Sequence, residues 1–144
     1  MEESSIVYVI RTSENINIDL PQGASGSITY NTETGEIDIN INIIDGYDFS
    51  EIQILAHELL HGYQYLNGEL DFSSDGKHPG LLYDKSDEYE AYERQNLFGK
   101  KVDSHTYVDE KYDTKIPSYP ISYKSLPQGQ KVVYIKLKKE GVVR

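Results

Sequence analysis

Two histidines one helical turn apart flank a glutamate in the string His57-Glu58-Leu59-Leu60-His61. On a helix, positions i and i+4 project from one side, so both imidazoles can reach a single ion at about 2.0 Å while Glu58 lies beside them and can hold a water. That is the geometry of metal-assisted hydrolysis. A pattern with so few fixed positions also arises by chance on solvated helix faces. Here it occupies the middle of an apolar stretch, where two imidazoles and a carboxylate are costly to bury unless an ion and its water satisfy them.

A catalytic zinc takes a third protein ligand and leaves the fourth place to water. Position 64 is Gln64 and position 67 is Asn67, so the pattern with a further histidine six residues after His61 is excluded. His78 and His105 fall in polar loops, where a solvated or hydrogen-bonded imidazole is the commoner outcome. A second helical stretch offers Asp87, Glu88, Glu90 and Glu93. The face of Glu88 continues through Ala91, Tyr92 and Gln95 with no other charge, so it can pack on the first helix with one carboxylate directed inward. Glu90 shares its face with Glu93 and Arg94, an ordinary solvated arrangement. Amphipathicity favours Glu88 as the third ligand and leaves Glu90 as the alternative.

These side chains need elements to position them. Residues 6–10, Ile-Val-Tyr-Val-Ile, predict a short buried strand. Residues 27–43 predict a hairpin around Thr34-Gly35, and the alternating isoleucines of residues 37–43 turn Asp38, Asn40 and Asn42 away from the core, as in a half-buried antiparallel strand. Residues 50–66 predict the metal-bearing helix, opened by a Ser50/Gln53 capping box and stopped by Asn67-Gly68. Its apolar positions Ile52, Leu55, Ala56, Leu59, Tyr63 and Leu66 cover more than one stripe and predict burial on most sides. A loop over residues 73–80 leads to the second helix, residues 84–98, begun near Asp84 or Ser86 and closed at Gly99. Beyond it Pro117, Pro120 and Pro127 interrupt the chain, and residues 131–137 alternate again. A final strand with lysines on one face is expected there, guarding an edge. With no repeat or linker visible, residues 1–144 read as a single α+β domain, a small antiparallel or mixed sheet packed on the two helices.

The 144 residues include 24 acidic against 14 basic side chains, a net charge of -10. A nucleic-acid reader needs clustered Lys and Arg, so no nucleic-acid partner is expected. Cysteine is absent, which excludes disulfides and thiolate ligands and leaves imidazole, carboxylate and water to hold a metal. No apolar run approaches the roughly 20 residues that span a bilayer, and the first residues lack the pattern of a signal peptide. A soluble chain without a membrane partner is the expectation, and action outside its cell would require a carrier.

The stretch Leu55-Ala56-His57-Glu58-Leu59-Leu60-His61-Gly62-Tyr63-Gln64-Tyr65, followed by Glu88-Tyr89-Glu90-Ala91-Tyr92-Glu93-Arg94-Gln95-Asn96, resembles the zincin-like metallopeptidase domains of bacterial effectors and polymorphic toxins. Domains at the C-termini of Rhs-repeat proteins are among them. The resemblance spans residues 27–98 and maps the His-Glu-x-x-His helix onto His57, Glu58 and His61. A Glu-x-x-Ala signature maps onto Glu88 and Ala91, in the gluzincin manner, although Glu90 directly precedes the same alanine. It implies a zincin-like fold, one zinc ion held by His57, His61 and Glu88, and Glu58 as the catalytic base for hydrolysis of a protein or peptide. An immunity or carrier protein is the partner that the toxin context implies. The competing expectation is a non-enzymatic, zinc-stabilised protein-binding module. An extended substrate is expected to add to the strand of residues 37–43.

Overall fold

Alternating isoleucines make β3 (Ile37–Ile43) the central strand of a three-stranded sheet, flanked by β1 (Tyr8–Glu14) on one side and β2 (Gly26–Tyr30) on the other. In the computed structural model the described residues are 7–14, 25–43, 48–73, 76, 80–112, 116–118 and 121–139. β2 (Gly26–Tyr30) pairs antiparallel with β3, Ile28 opposite Ile39, and gives the expected hairpin. Gly35 supplies its turn with φ 75°, and the Asn31 side chain accepts from the Glu33 and Thr34 amides.

β1 (Tyr8–Glu14) lies on the other side of β3 and runs parallel to it. The expected strand over residues 6–10 is therefore displaced toward Glu14, with residue 6 outside the described residues. Pairing with β3 carries it on, and the Arg11 guanidinium meets Asp38 at 3.0 Å. The central position also corrects the expectation of a half-buried strand. Ile37, Ile39 and Ile41 are fully buried, but Asn40 and Asn42 on the opposite face are buried too. Both edges of β3 are occupied by neighbours, so it cannot accept the added substrate strand expected of it.

α1 (Glu51–Leu66) begins with the expected box: Ser50 Oγ accepts from the Gln53 amide, and Gln53 Oε1 accepts from the Ser50 amide. Its orientation differs from the hydropathy reading. Ile52 is 55% and Tyr63 59% exposed, with Leu59 exposed as well, while Gln53, His57, Glu58, His61 and Gln64 are buried beside Ile54 and Tyr65. The polar stripe goes inward because the sheet and the second helix supply its partners, as described below. Gly62 permits a close approach to β1, since a Cβ there would stand 2.8 Å from Tyr8 Cε1.

α2 (Lys85–Gln95) is opened by a capping box between Asp84 and Asp87 and continues as a 3-10 turn, Asn96–Phe98, before Gly99. The approach to it is pinned by Asp71, a buried carboxylate that accepts from the amides of Leu81 (3.0 Å) and Leu82 (2.7 Å). α1 and α2 pack together, with Tyr65, Leu70, Phe72 and Leu82 in the core around them. The fold is thus α+β with a mixed sheet.

Two helices follow where the sequence reading placed no helix. α3 (Ser104–Tyr112) packs on α2 through Val108. α4 (Gln128–Lys139) replaces the expected strand over residues 131–137. A helix places Lys131 and Tyr134 on one side, and Tyr134 is buried with its ring 5.2 Å from that of Tyr123. The Lys131 amide bonds back to the Pro127 carbonyl at 3.0 Å, starting the helical ladder. The lysines therefore line a helix and guard no sheet edge. No helix among the described residues is long and apolar enough to cross a membrane.

Candidate metal centre

One turn of α1 brings His57 Nε2 and His61 Nε2 within 3.2 Å of each other, their ring planes 80° apart. Glu88, in the first turn of α2, completes a buried triangle. Its Oε2 lies 3.1 Å from His57 Nε2 and its Oε1 3.3 Å from His61 Nε2. Among the described residues this is the group of three or more such side chains able to hold a metal ion. An ion about 2.0 Å from each donor would set tetrahedral donors about 3.3 Å apart, close to the separations found. Glu88 Oε2 is buried without a hydrogen bond although a ring nitrogen stands 3.1 Å away. A shared cation would satisfy it where misaligned N–H groups do not.

Charge at the centre is tightly constrained. Burial alone would raise the Glu88 pKa, but the two histidines outweigh it and hold the carboxyl well below its usual range. For His61, burial works against the cation, yet the charge and hydrogen bond of Glu88 push its pKa up to about 9. Tyr83 donates its hydroxyl to Glu88 Oε1 and keeps its proton, because burial and then the Glu88 charge raise its pKa. Glu58 is buried beside these groups. Desolvation raises its pKa, against the pull of His57, His61 and, more weakly, Lys111. A raised pKa makes this carboxyl a better proton acceptor than an exposed glutamate.

The other acidic and imidazole candidates fall outside the cluster. Glu90 is exposed and accepts from Gln64 Nε2 at 3.1 Å. His105 is exposed and stacks on Tyr89 at 4.1 Å. His78 lies outside the described residues. Several contributors escaped the sequence reading. Gln64 Oε1 faces His61 Nδ1 at 2.8 Å, Gln95 Oε1 faces His57 Nδ1 at 3.0 Å, and the Tyr92 ring packs edge-on to His57. A glutamine one turn after His61 was the available signal for the first. Lys111 of α3, whose Nζ donates to the Tyr92 hydroxyl at 3.1 Å, had none.

No family model, curated protein or solved structure matches this chain.

Proposed function

We propose that this chain is a zincin-like, zinc-dependent metallopeptidase of the effector or toxin type. The observation that supports it is the triangle of His57 Nε2, His61 Nε2 and Glu88, with donor separations of 3.1 to 3.3 Å and an otherwise unsatisfied carboxylate oxygen. A zinc ion held by His57, His61 and Glu88 would supply Lewis acidity toward the scissile carbonyl and lower the pKa of a water. Glu58 then acts as the base that takes the proton from the attacking water and afterwards delivers it to the leaving amine nitrogen. Its burial raises the pKa, which makes it a stronger base for the first transfer. Tyr83 orients Glu88 by donating to one of its oxygens. The substrate strand is assigned to β2, the edge strand whose Gly26 lies against Glu58.

A structural zinc site is closed by four protein ligands, whereas three leave a position open beside Glu58. That favours hydrolysis over the non-enzymatic module. The test compares zinc content and cleavage of unfolded protein substrates and peptide libraries for the wild type and Glu58→Gln. Retained zinc with cleavage lost supports the proposal. Zinc in both proteins with equal cleavage, or with none, assigns the site to protein binding.

A further inference from the structure

Both ring nitrogens facing away from the proposed ion meet a buried glutamine oxygen, and the two glutamines come from different elements. Gln64 lies on α1 and is fully buried; Gln95 ends α2 and is nearly so. We propose that Gln64 and Gln95 are positioning residues that hold His61 and His57 as Nδ1–H tautomers, leaving both Nε2 lone pairs for one ion. This rests on the reading of His57, His61 and Glu88 as metal ligands.

The Gln64 amide has its orientation set by its surroundings. Its Nε2 donates to the Asp87 carbonyl at 3.0 Å and to Glu90 Oε2 at 3.1 Å. Turned over, it would place an oxygen against two acceptors, so Oε1 is the atom that faces His61. An oxygen there accepts only if Nδ1 carries the proton, so in the neutral ring Nε2 keeps its lone pair. Gln95 is anchored through its backbone instead. Its carbonyl accepts from Gln53 Nε2 at 3.2 Å, and the same Gln53 nitrogen reaches the Lys100 carbonyl at 2.8 Å. Gln53 stands one turn before His57 on α1, so the contact closes a ring from α1 to α2 and back to His57. Gln95 Nε2 has no hydrogen-bond partner, which leaves the Oε1 contact to His57 as the polar role of its side chain. The flipped amide would donate to Nδ1, move the proton to Nε2 and close that nitrogen to an ion.

Amides suit this site better than carboxylates. Glu88, and Glu58 whenever it is ionised, already bring negative charge into a buried space that one divalent cation would balance. A third carboxylate would leave net charge buried, whereas an amide accepts the Nδ1 proton without adding any.

The test uses the full chain and zinc alone. Competition with a chromophoric chelator measures affinity, and long-range nitrogen–proton NMR of the zinc-loaded protein reads the tautomers. The wild type should show Nδ1–H on both rings. Gln95→Met, which deletes a single polar contact, should weaken zinc binding about 10–100-fold, and Gln95→Glu, which keeps the acceptor but buries a third negative charge, should recover only part of that loss. Zinc bound through Nδ1, or Gln95→Met binding zinc as the wild type does with unchanged tautomers, would overturn the positioning role while the metal site stands. Failure of the wild type to bind zinc would remove both. Read also on the zinc-free protein at alkaline pH, where no ion selects the nitrogen, Nε2–H on either ring would overturn the positioning role even if a variant folds poorly.

Discussion

Gly26 of β2 leaves no space for a side chain against Glu58: a Cβ at this glycine would stand 3.0 Å from Glu58 Oε1 and 2.7 Å from Ile54 Cγ2. The face of β2 and the proposed base are therefore closely packed, with no room for a side chain between them. Gly26→Ala should destabilise the fold by about 1–3 kcal/mol through overpacking. Urea denaturation would measure this, and Ile54→Ala should cost less in the Gly26→Ala background than in the wild type. Additive losses would show that the contact is looser than described.

Glu88 and Glu90 are separable by metal affinity. Glu88 is buried at the triangle, whereas Glu90 is exposed and engages Gln64. Glu88→Gln should weaken zinc binding by more than the roughly 10–100-fold typical of an outer partner, and Glu90→Gln should leave it within a few fold. Equilibrium dialysis reads both. The reverse ranking would move the third ligand to Glu90.

Stability of the metal-free protein should depend on pH with a sign that zinc reverses. His61 has its pKa raised from 6.5 to about 9, so its contribution is complete below 6.5 and is lost as pH rises through 9. Asp87, raised from 3.8 to about 8 chiefly by burial, acts in the same direction over its own window. Glu88 acts oppositely: its contribution is present above 4.5 and is lost as pH falls through its lowered value. Thermal midpoints in chelator should therefore fall between pH 6.5 and 9. With zinc in excess they should rise over the lower part of that range, because binding requires neutral imidazole. A chelated protein that gains stability over this interval would contradict the His61–Glu88 pairing.

Lys111 offers a smaller effect with a clear direction. It donates to the Tyr92 hydroxyl, and its charge lowers the Glu58 pKa. Lys111→Met should therefore move the acid limb of kcat/KM to higher pH, with zinc content unchanged. An unmoved limb would mean that the lysine is screened from Glu58.

What the sequence disclosed follows the range over which each feature is decided. The pairing of His57 with His61 depends only on helix pitch, and Glu88 could be favoured from its neighbours Ala91, Tyr92 and Gln95 on one face. The hairpin of β2 and β3 is likewise local. The inward turn of Gln53, His57, Glu58, His61 and Gln64 was hidden, because hydropathy treats each side chain alone while their burial depends on partners on α2 and beyond. The parallel pairing of β1 with β3 joins segments separated by many residues and leaves no local mark. In α4, β-branched alternation imitated a strand, and the decisive contact, Tyr134 against Tyr123, is tertiary.

That last difference can be tested at Gly129, which lies in the first turn of α4 with nothing within 4 Å of the position its Cβ would take. Glycine weakens a helix because its unfolded backbone is unusually free, and alanine removes that freedom where space allows. Gly129→Ala should raise stability by up to about 1 kcal/mol, seen as a higher urea midpoint at constant slope. Val133→Pro should lower it by about 3 kcal/mol, since the helix interior would lose a backbone donor and meet the ring. If the alanine gives no gain and the proline is tolerated, residues 128–139 do not hold the helix. The burial of Tyr134 would then need another explanation.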